Sequence, residues 1–147
     1  MKTAGTIIQV GIADMNIARA PDTLRTSGLG SCVGVVLYDL SQKQAGMAHI
    51  MLRDSCLARQ QSLKAGSPYW TLKAKLAGGG QMFKAYGAGQ LMRIGPRNVE
   101  AVKRHLHALE IPIVAADVGG NSGRTIQFNP ETGELVIRTV NKGISVI

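Results

Sequence analysis

Aromatic side chains are scarce in this sequence: one Trp, three Tyr and two Phe make up 4% of 147 residues. That removes the stacking platforms of single-strand binders, and neither zinc-finger spacing nor a five-residue basic run is present to read a duplex. Nucleic acid is therefore not the expected partner. No uninterrupted apolar stretch approaches the ~20 residues that span a bilayer, so membrane insertion is not expected. The opening ten residues, Met1 to Val10, lack the apolar region of a secretory signal. With only Cys32 and Cys56 and no such signal, the thiols are read as reduced and the location as cytoplasmic. Acids are few as well: 9 Asp and Glu against 17 Lys and Arg give a net charge of +8, which favours an anionic partner.

Phosphate and metal signatures are missing too. Gly78-Gly79-Gly80 is not followed by the Gly-Lys-Ser/Thr of a Walker loop, and Val33 stands where the third glycine of a dinucleotide fingerprint belongs. Both stretches read as tight turns. His105 and His107 are two apart and point to different sides of a helix, so a metal site there is not expected, nor is any cofactor.

What is present is an apolar content of 45% in a length suited to one domain, residues 1–147. The chain is organised around Thr26 to Asp39 and the following Gln44 to Leu52. Val33 to Tyr38 is short and β-branched, hence a strand. Ala45 to Leu52 reads as its partner, although Ala and Met favour helices. Asp39-Leu40-Ser41-Gln42 then makes a four-residue hairpin loop. If Tyr38 pairs with Lys43, the register runs Val36 with Ala45, Gly34 with Met47 and Cys32 with His49. Directly opposed residues share a face with Cβ atoms roughly 4.5–5.5 Å apart, whereas one extra loop residue would send them to opposite faces.

A thiolate, not a thiol, is the nucleophile, and an adjacent imidazole can take its proton. Gly28, Gly30 and Ser31 leave room for substrate and offer N–H groups to a developing oxyanion. The Thr26 hydroxyl is placed to orient the ring. The competing reading is that Cys32 is simply a buried small residue.

These residues resemble a known family. Thr26-x-Gly28-Leu29-Gly30-Ser31-Cys32-Val33-Gly34, Tyr38-Asp39 and Gly46-Met47-Ala48-His49-x-Met51-Leu52 are similar to CheD, the chemoreceptor glutamine deamidases of bacterial chemotaxis. Ala77-Gly78-Gly79-Gly80-Gln81-Met82-Phe83, Ile94-Gly95-x-Arg97-Asn98 and Asp117-Val118-Gly119-Gly120-Asn121-Ser122-Gly123-Arg124 follow in the same order. The resemblance implies Cys32 as nucleophile, His49 as general base and acid, and Thr26 completing the site. It also implies an α+β fold: a β-sandwich-like mixed sheet core with helices on one side, in α/β/β layers. Chemoreceptor cytoplasmic helices and the CheC phosphatase are the implied partners. Two other roles compete: a non-catalytic adaptor for those partners, and a cysteine hydrolase acting on receptor methyl esters.

One helix-bearing segment is shortened relative to the family. After an expected short helix at Asp54 to Leu63, which carries Cys56 as an incidental thiol, only Lys64 to Leu72 remains, with Gly66 and Pro68 making a turn. Tyr69 and Trp70 are expected to fill part of the gap, with self-association as a consequence of the loss. Elsewhere, Thr6 to Ala13 reads as a strand with Ile8, Val10 and Ile12 on one face, and Asp14 to Arg25 as irregular. Leu72 to Leu76 starts a strand that ends at the glycines, and Tyr86 to Gln90 is a connection. Val99 to Leu109 is the clearest helix and Ile111 to Ala115 a core strand. Thr125 to Phe128 and Leu135 to Val140 form a hairpin.

Overall fold

The computed structural model describes residues 5–51, 72–82 and 94–147. The expected helix at 54–63, Cys56, Tyr69, Trp70, the shortened segment and the connection at 86–90 lie outside them. What is described is mixed β-sheet with one helix, an α+β architecture.

The element that explains the rest is the strand Val33–Asp39, in which every residue is buried. A strand buried on both faces reads as a continuous apolar run. Its even-numbered side chains, Val36 and Tyr38, join Cys32 in a cluster with Leu24, Leu29, Ile126, Phe128, Leu135 and Ile137. Its odd-numbered side chains, Val33, Val35 and Leu37, join Leu76, Val99, Val102 and Leu106 in a second cluster. Each such side chain contributes roughly 1.5–3 kcal/mol when fully buried.

In chain order the strands are β1 (Ile7–Gln9), β2 (Met15–Arg19), β3 (Thr23–Leu29), β4 (Val33–Asp39), β5 (Gln44–Ile50), β6 (Lys73–Gly78), β7 (Ile113–Val118), β8 (Arg124–Asn129), β9 (Glu134–Thr139) and β10 (Gly143–Val146). They form two five-stranded sheets, β1-β3-β8-β9-β10 and β2-β5-β4-β6-β7. The first cluster draws on both sheets; the second lies between the β4 sheet and the helix α1 (Ile94–Ala108). The pair β6–β7 is parallel and therefore needs a crossover, and α1 lies within that connection.

Helix α1 buries Val99, Val102 and Leu106 at helical spacing. It begins five residues earlier than the apolar pattern indicated. Pro96 sits in its first turn, where a missing N–H costs nothing. Glu110 at φ 58° ends it.

The N-terminal expectation needs correction. Instead of one strand from Thr6 to Ala13, β1 stops at Gln9 and Ile12 is 67% exposed. Asp14 N–H donates to Gly11 O and Ala13 has φ 61°, so the chain turns there. The supposedly irregular Asp14 to Arg25 holds β2 and the start of β3. Only Ala18 of β2 is buried, so no alternating pattern marked it. The core strand expected at Ile111 to Ala115 runs later, as β7.

Candidate active site

The β4–β5 hairpin has the expected four-residue loop, but displaced. Asp39 pairs with Gln44 around Leu40 to Lys43, and the register is Tyr38 with Ala45, Val36 with Met47 and Gly34 with His49. Cys32 is therefore not directly opposite His49. The physical reason is Asp39: its backbone belongs to the strand. Its Oδ1 accepts from Ser41 N–H at 3.0 Å, Ser41 Oγ–H at 2.6 Å and Gln42 N–H at 3.3 Å, tying the loop to the strand end. A shift of two keeps Gly34, Val36 and Tyr38 on the face that carries His49, and Cys32, in the bend just before β4, packs in the same cluster as Val36 and Tyr38.

Across from this face stands β3. Thr26 and His49 are both fully buried, and Thr26 Oγ1 lies 2.8 Å from His49 Nδ1 and 2.7 Å from Val10 O. A carbonyl can only accept, so the single hydroxyl proton goes to Val10 O. The Thr26 oxygen then accepts, and Nδ1 must carry the proton it accepts. Whether neutral or charged, the ring keeps Nδ1–H, and Nε2 is the nitrogen that gains or loses a proton. Gly34 permits this close approach of the two sheets. A methyl group there would stand 2.6 Å from Ile126 Cδ1 and 3.0 Å from Leu29 Cδ1.

Cys32, 6% exposed and not in a disulfide, lies in the bend that carries the chain from β3 to β4. Backbone bonds fix that bend. Gly79 N–H donates to Cys32 O and Gly80 N–H to Gly30 O, both at 2.8 Å. Gly78 and Gly79 have φ of 107° and 67°, conformations that a side chain resists. Gly119 N–H donates to Gly78 O at 2.9 Å and Gln81 N–H to Gly120 O at 2.8 Å, bringing in the third glycine-bearing loop. The amides of Gly79 and Gly80 are thus committed to carbonyls, which fits the tight-turn reading of the triple glycine. Among the described residues no group of three His, Cys, Asp or Glu side chains could hold a metal ion.

Two further buried polar residues, Asn98 and Arg124, hold backbone carbonyls of the surrounding loops. Asn98, 1% exposed on α1, donates Nδ2–H to Ser31 O at 2.8 Å. Arg124, 7% exposed, donates from Nη2 to Gly119 O at 3.0 Å and lies 3.5 Å from Asp117 Oδ1. Asn98 precedes Val102 by four residues on the apolar stripe of α1, and a polar residue on that stripe was the available signal.

The family model for CheD, chemotactic sensory transduction, matches residues 57–139, more than half of the chain. The chain belongs to the CheD family. Three relatives carry the match across the Thr26, Cys32 and His49 positions as well. The chemoreceptor glutamine deamidase CheD of Bacillus licheniformis is 52% identical over 160 residues, covering 97% of this chain and 95% of its own. That of Halalkalibacterium halodurans is 52% identical, covering 93% and 96%. That of Bacillus subtilis is 49% identical, covering 99% and 98%. An alignment over 160 positions is longer than the 147-residue chain, so that relative has positions this chain lacks. A solved Neisseria meningitidis protein of the family-model DUF152 aligns at TM-score 0.47 and 14% identity, covering 80% of this chain and 64% of its own, too slight a likeness to bear on the fold.

Proposed function

We propose that the chain is a chemoreceptor glutamine deamidase, converting glutamine side chains of a receptor to glutamate with release of ammonia. The observation that supports this reading is the Thr26–His49 contact, which keeps a proton on Nδ1 of a fully buried ring whose ladder partner, Gly34, is two residues from Cys32. Nε2 takes the thiol proton and the sulfur attacks the carboxamide carbon, forming a C–S bond and an oxyanion. The oxyanion collapses, the C–N bond breaks, and Nε2–H gives its proton to the departing nitrogen. Ammonia leaves a thioester. Nε2 then takes a proton from water, the hydroxide oxygen bonds to the carbon, the C–S bond breaks and the thiol is restored beside a glutamate side chain.

The reading extends to surroundings and partners. The +8 charge supports docking on acidic receptor helices, and the CheC phosphatase is a second partner for the same chain. The cytoplasm, where receptor helices lie, is the compartment; among the described residues no helix is long and apolar enough to cross a membrane. Residues 1–147 act as one domain, an α/β/β sandwich. An apolar cluster drawn from both sheets and a second beneath α1 support that layering.

The test is mass spectrometry of a purified chemoreceptor cytoplasmic fragment incubated with the protein. Conversion adds ~1 Da per modified glutamine, the difference between amide and acid left by hydrolysis of the covalent intermediate. Equal conversion by Cys32→Ala protein refutes the mechanism.

A further inference from the structure

The thioester chemistry requires a hydrogen-bond donor aimed at the oxyanion, and a donor is useful only if it is held still. Two bonds hold the backbone on either side of the Cys32 Cα. Gly79 N–H grips the Cys32 carbonyl at 2.8 Å, which fixes the Cys32–Val33 peptide. Asn98 Nδ2–H grips the Ser31 carbonyl at 2.8 Å, which fixes the Ser31–Cys32 peptide. That second peptide is trans, since Ala20–Pro21 is the one cis bond among the described residues. In a trans peptide the C=O and N–H point in opposite directions. Anchoring the Ser31 oxygen on α1 therefore aims the Cys32 N–H away from α1.

Asn98 is itself well placed to act as a fixed post. It stands in the second turn of α1, and the start of that helix lies against the glycine turn without intervening side chains. A Cβ on Gly95 would run into Gly80 O and Gly79 O, and one on Gly79 into Val99 Cγ2. The helix cannot slide on that turn, and the turn holds Cys32 O. Asn98, α1 and the glycine turn thus make one rigid frame around a single peptide plane.

We infer that Asn98 is a positioning residue that orients the Cys32 N–H as the oxyanion donor of the deamidation. The inference rests on Cys32 being the nucleophile. It separates two kinds of reaction at the same sulfur. Hydrolysis of an amide passes through an oxyanion. Alkylation by iodoacetamide is a direct displacement that forms the S–C bond as iodide leaves, with no charge developing on an oxygen.

The experiment compares both reactions in the full chain for Asn98→Ala and Asn98→Asp, the latter nearly isosteric but with no N–H to donate. Deamidation kcat on the receptor fragment should fall roughly 10- to 100-fold, short of the ~10²–10³ that outright loss of an oxyanion donor costs. KM should stay within about twofold, as expected when only transition-state binding is lost. The alkylation rate of Cys32 and its pH profile should match the parent protein. Unchanged kcat in both variants overturns the inference while leaving the mechanism intact. Parallel loss of deamidation and alkylation, unfolding included, also overturns it, because the role would then be structural. Activity surviving in Cys32→Ala removes the underlying mechanism instead.

Discussion

The two ends of β4 solve the same problem, closing the space between two sheets, by opposite means. At the Asp39 end, side chains fill it. The Tyr38 ring packs on Phe128 with centroids 5.0 Å apart, and Lys75 Nζ stands 5.6 Å from the Tyr38 ring while donating to Gly133 O at 2.7 Å and Ile147 O at 2.8 Å. At the Cys32 end β4 itself carries no side chain at Gly34, and Leu29 and Ile126 close in on it instead. Three glycine-bearing loops are joined through their own amides and carbonyls, and the buried polar groups are Thr26, His49, Asn98 and Arg124. A bulky filler gives stability but leaves no room for a reacting atom. Backbone-on-backbone packing holds the loops and the groups they carry in place.

Removing the sulfur should produce the largest effect, and only at one end. Cys32→Ala is expected to lower receptor deamidation by at least about 10⁴-fold, with unfolding in urea displaced by no more than ~1 kcal/mol for one small buried group. Comparable activity in the two proteins would dissolve the functional half of the contrast. Next comes the backbone frame. Gly79→Ala must place a methyl at φ 67° and against Val99, so a stability loss of about 2–4 kcal/mol is expected in urea unfolding. A neutral result would mean that the glycine turn is not packed as tightly as the two sheets require.

Thr26→Val tests the two roles together. It removes the shared partner of Val10 O and His49 Nδ1, so a loss of about 1–3 kcal/mol in stability should accompany a kcat decrease of roughly 10- to 100-fold. A stability loss with full activity would place Thr26 with the fillers.

The smallest effect belongs to the far end. Lys75→Met should cost about 1 kcal/mol by taking the ammonium donor from Gly133 O and from Ile147 O, the latter keeping Leu135 N–H at 3.0 Å, and leave deamidation unchanged. Burial lowers the Lys75 pKa below its ordinary value, with Glu134 opposing the shift. The penalty on the charged amine is full below the folded value and fades as pH rises from there towards ~10.4. Burial raises Tyr38 above its ordinary value, a contribution present below pH ~10 and lost as pH rises through the folded value. Between the folded Lys75 value and pH ~10, stability of the parent relative to Lys75→Met should therefore increase. A flat difference in alkaline melting curves would contradict this assignment.

The same contrast governs what the sequence made legible. β4 and its hairpin could be read because their residues are apolar, β-branched and bounded by a short loop. The register differs by two because Asp39, a turn residue by type, belongs to the strand and its carboxylate caps the turn from there. The faces of the β4 and β5 residues were legible, since side chains alternate with period two and a shift of two restores them. β2 and β10 left no trace: one buries only Ala18 and the other no residue, so neither has a core face to print a pattern. Thr26 was identifiable from its motif, but its tautomer-fixing bond to Val10 O required β1 to be seen beside β3. Asn98 acts on a carbonyl 67 residues away and Arg124 on one only five residues back, but backbone acceptors carry no residue-type signature.

The Thr26 hydroxyl is wedged between a carbonyl and an imidazole. A ring so clamped cannot rotate to offer its other edge, so a single nitrogen must serve both halves of the turnover. The outgoing amine and the incoming water would then share one doorway and pass through it in sequence, never together. Added ammonia should for that reason slow hydrolysis of the thioester by occupying the water's place, a product inhibition set by one immobile side chain.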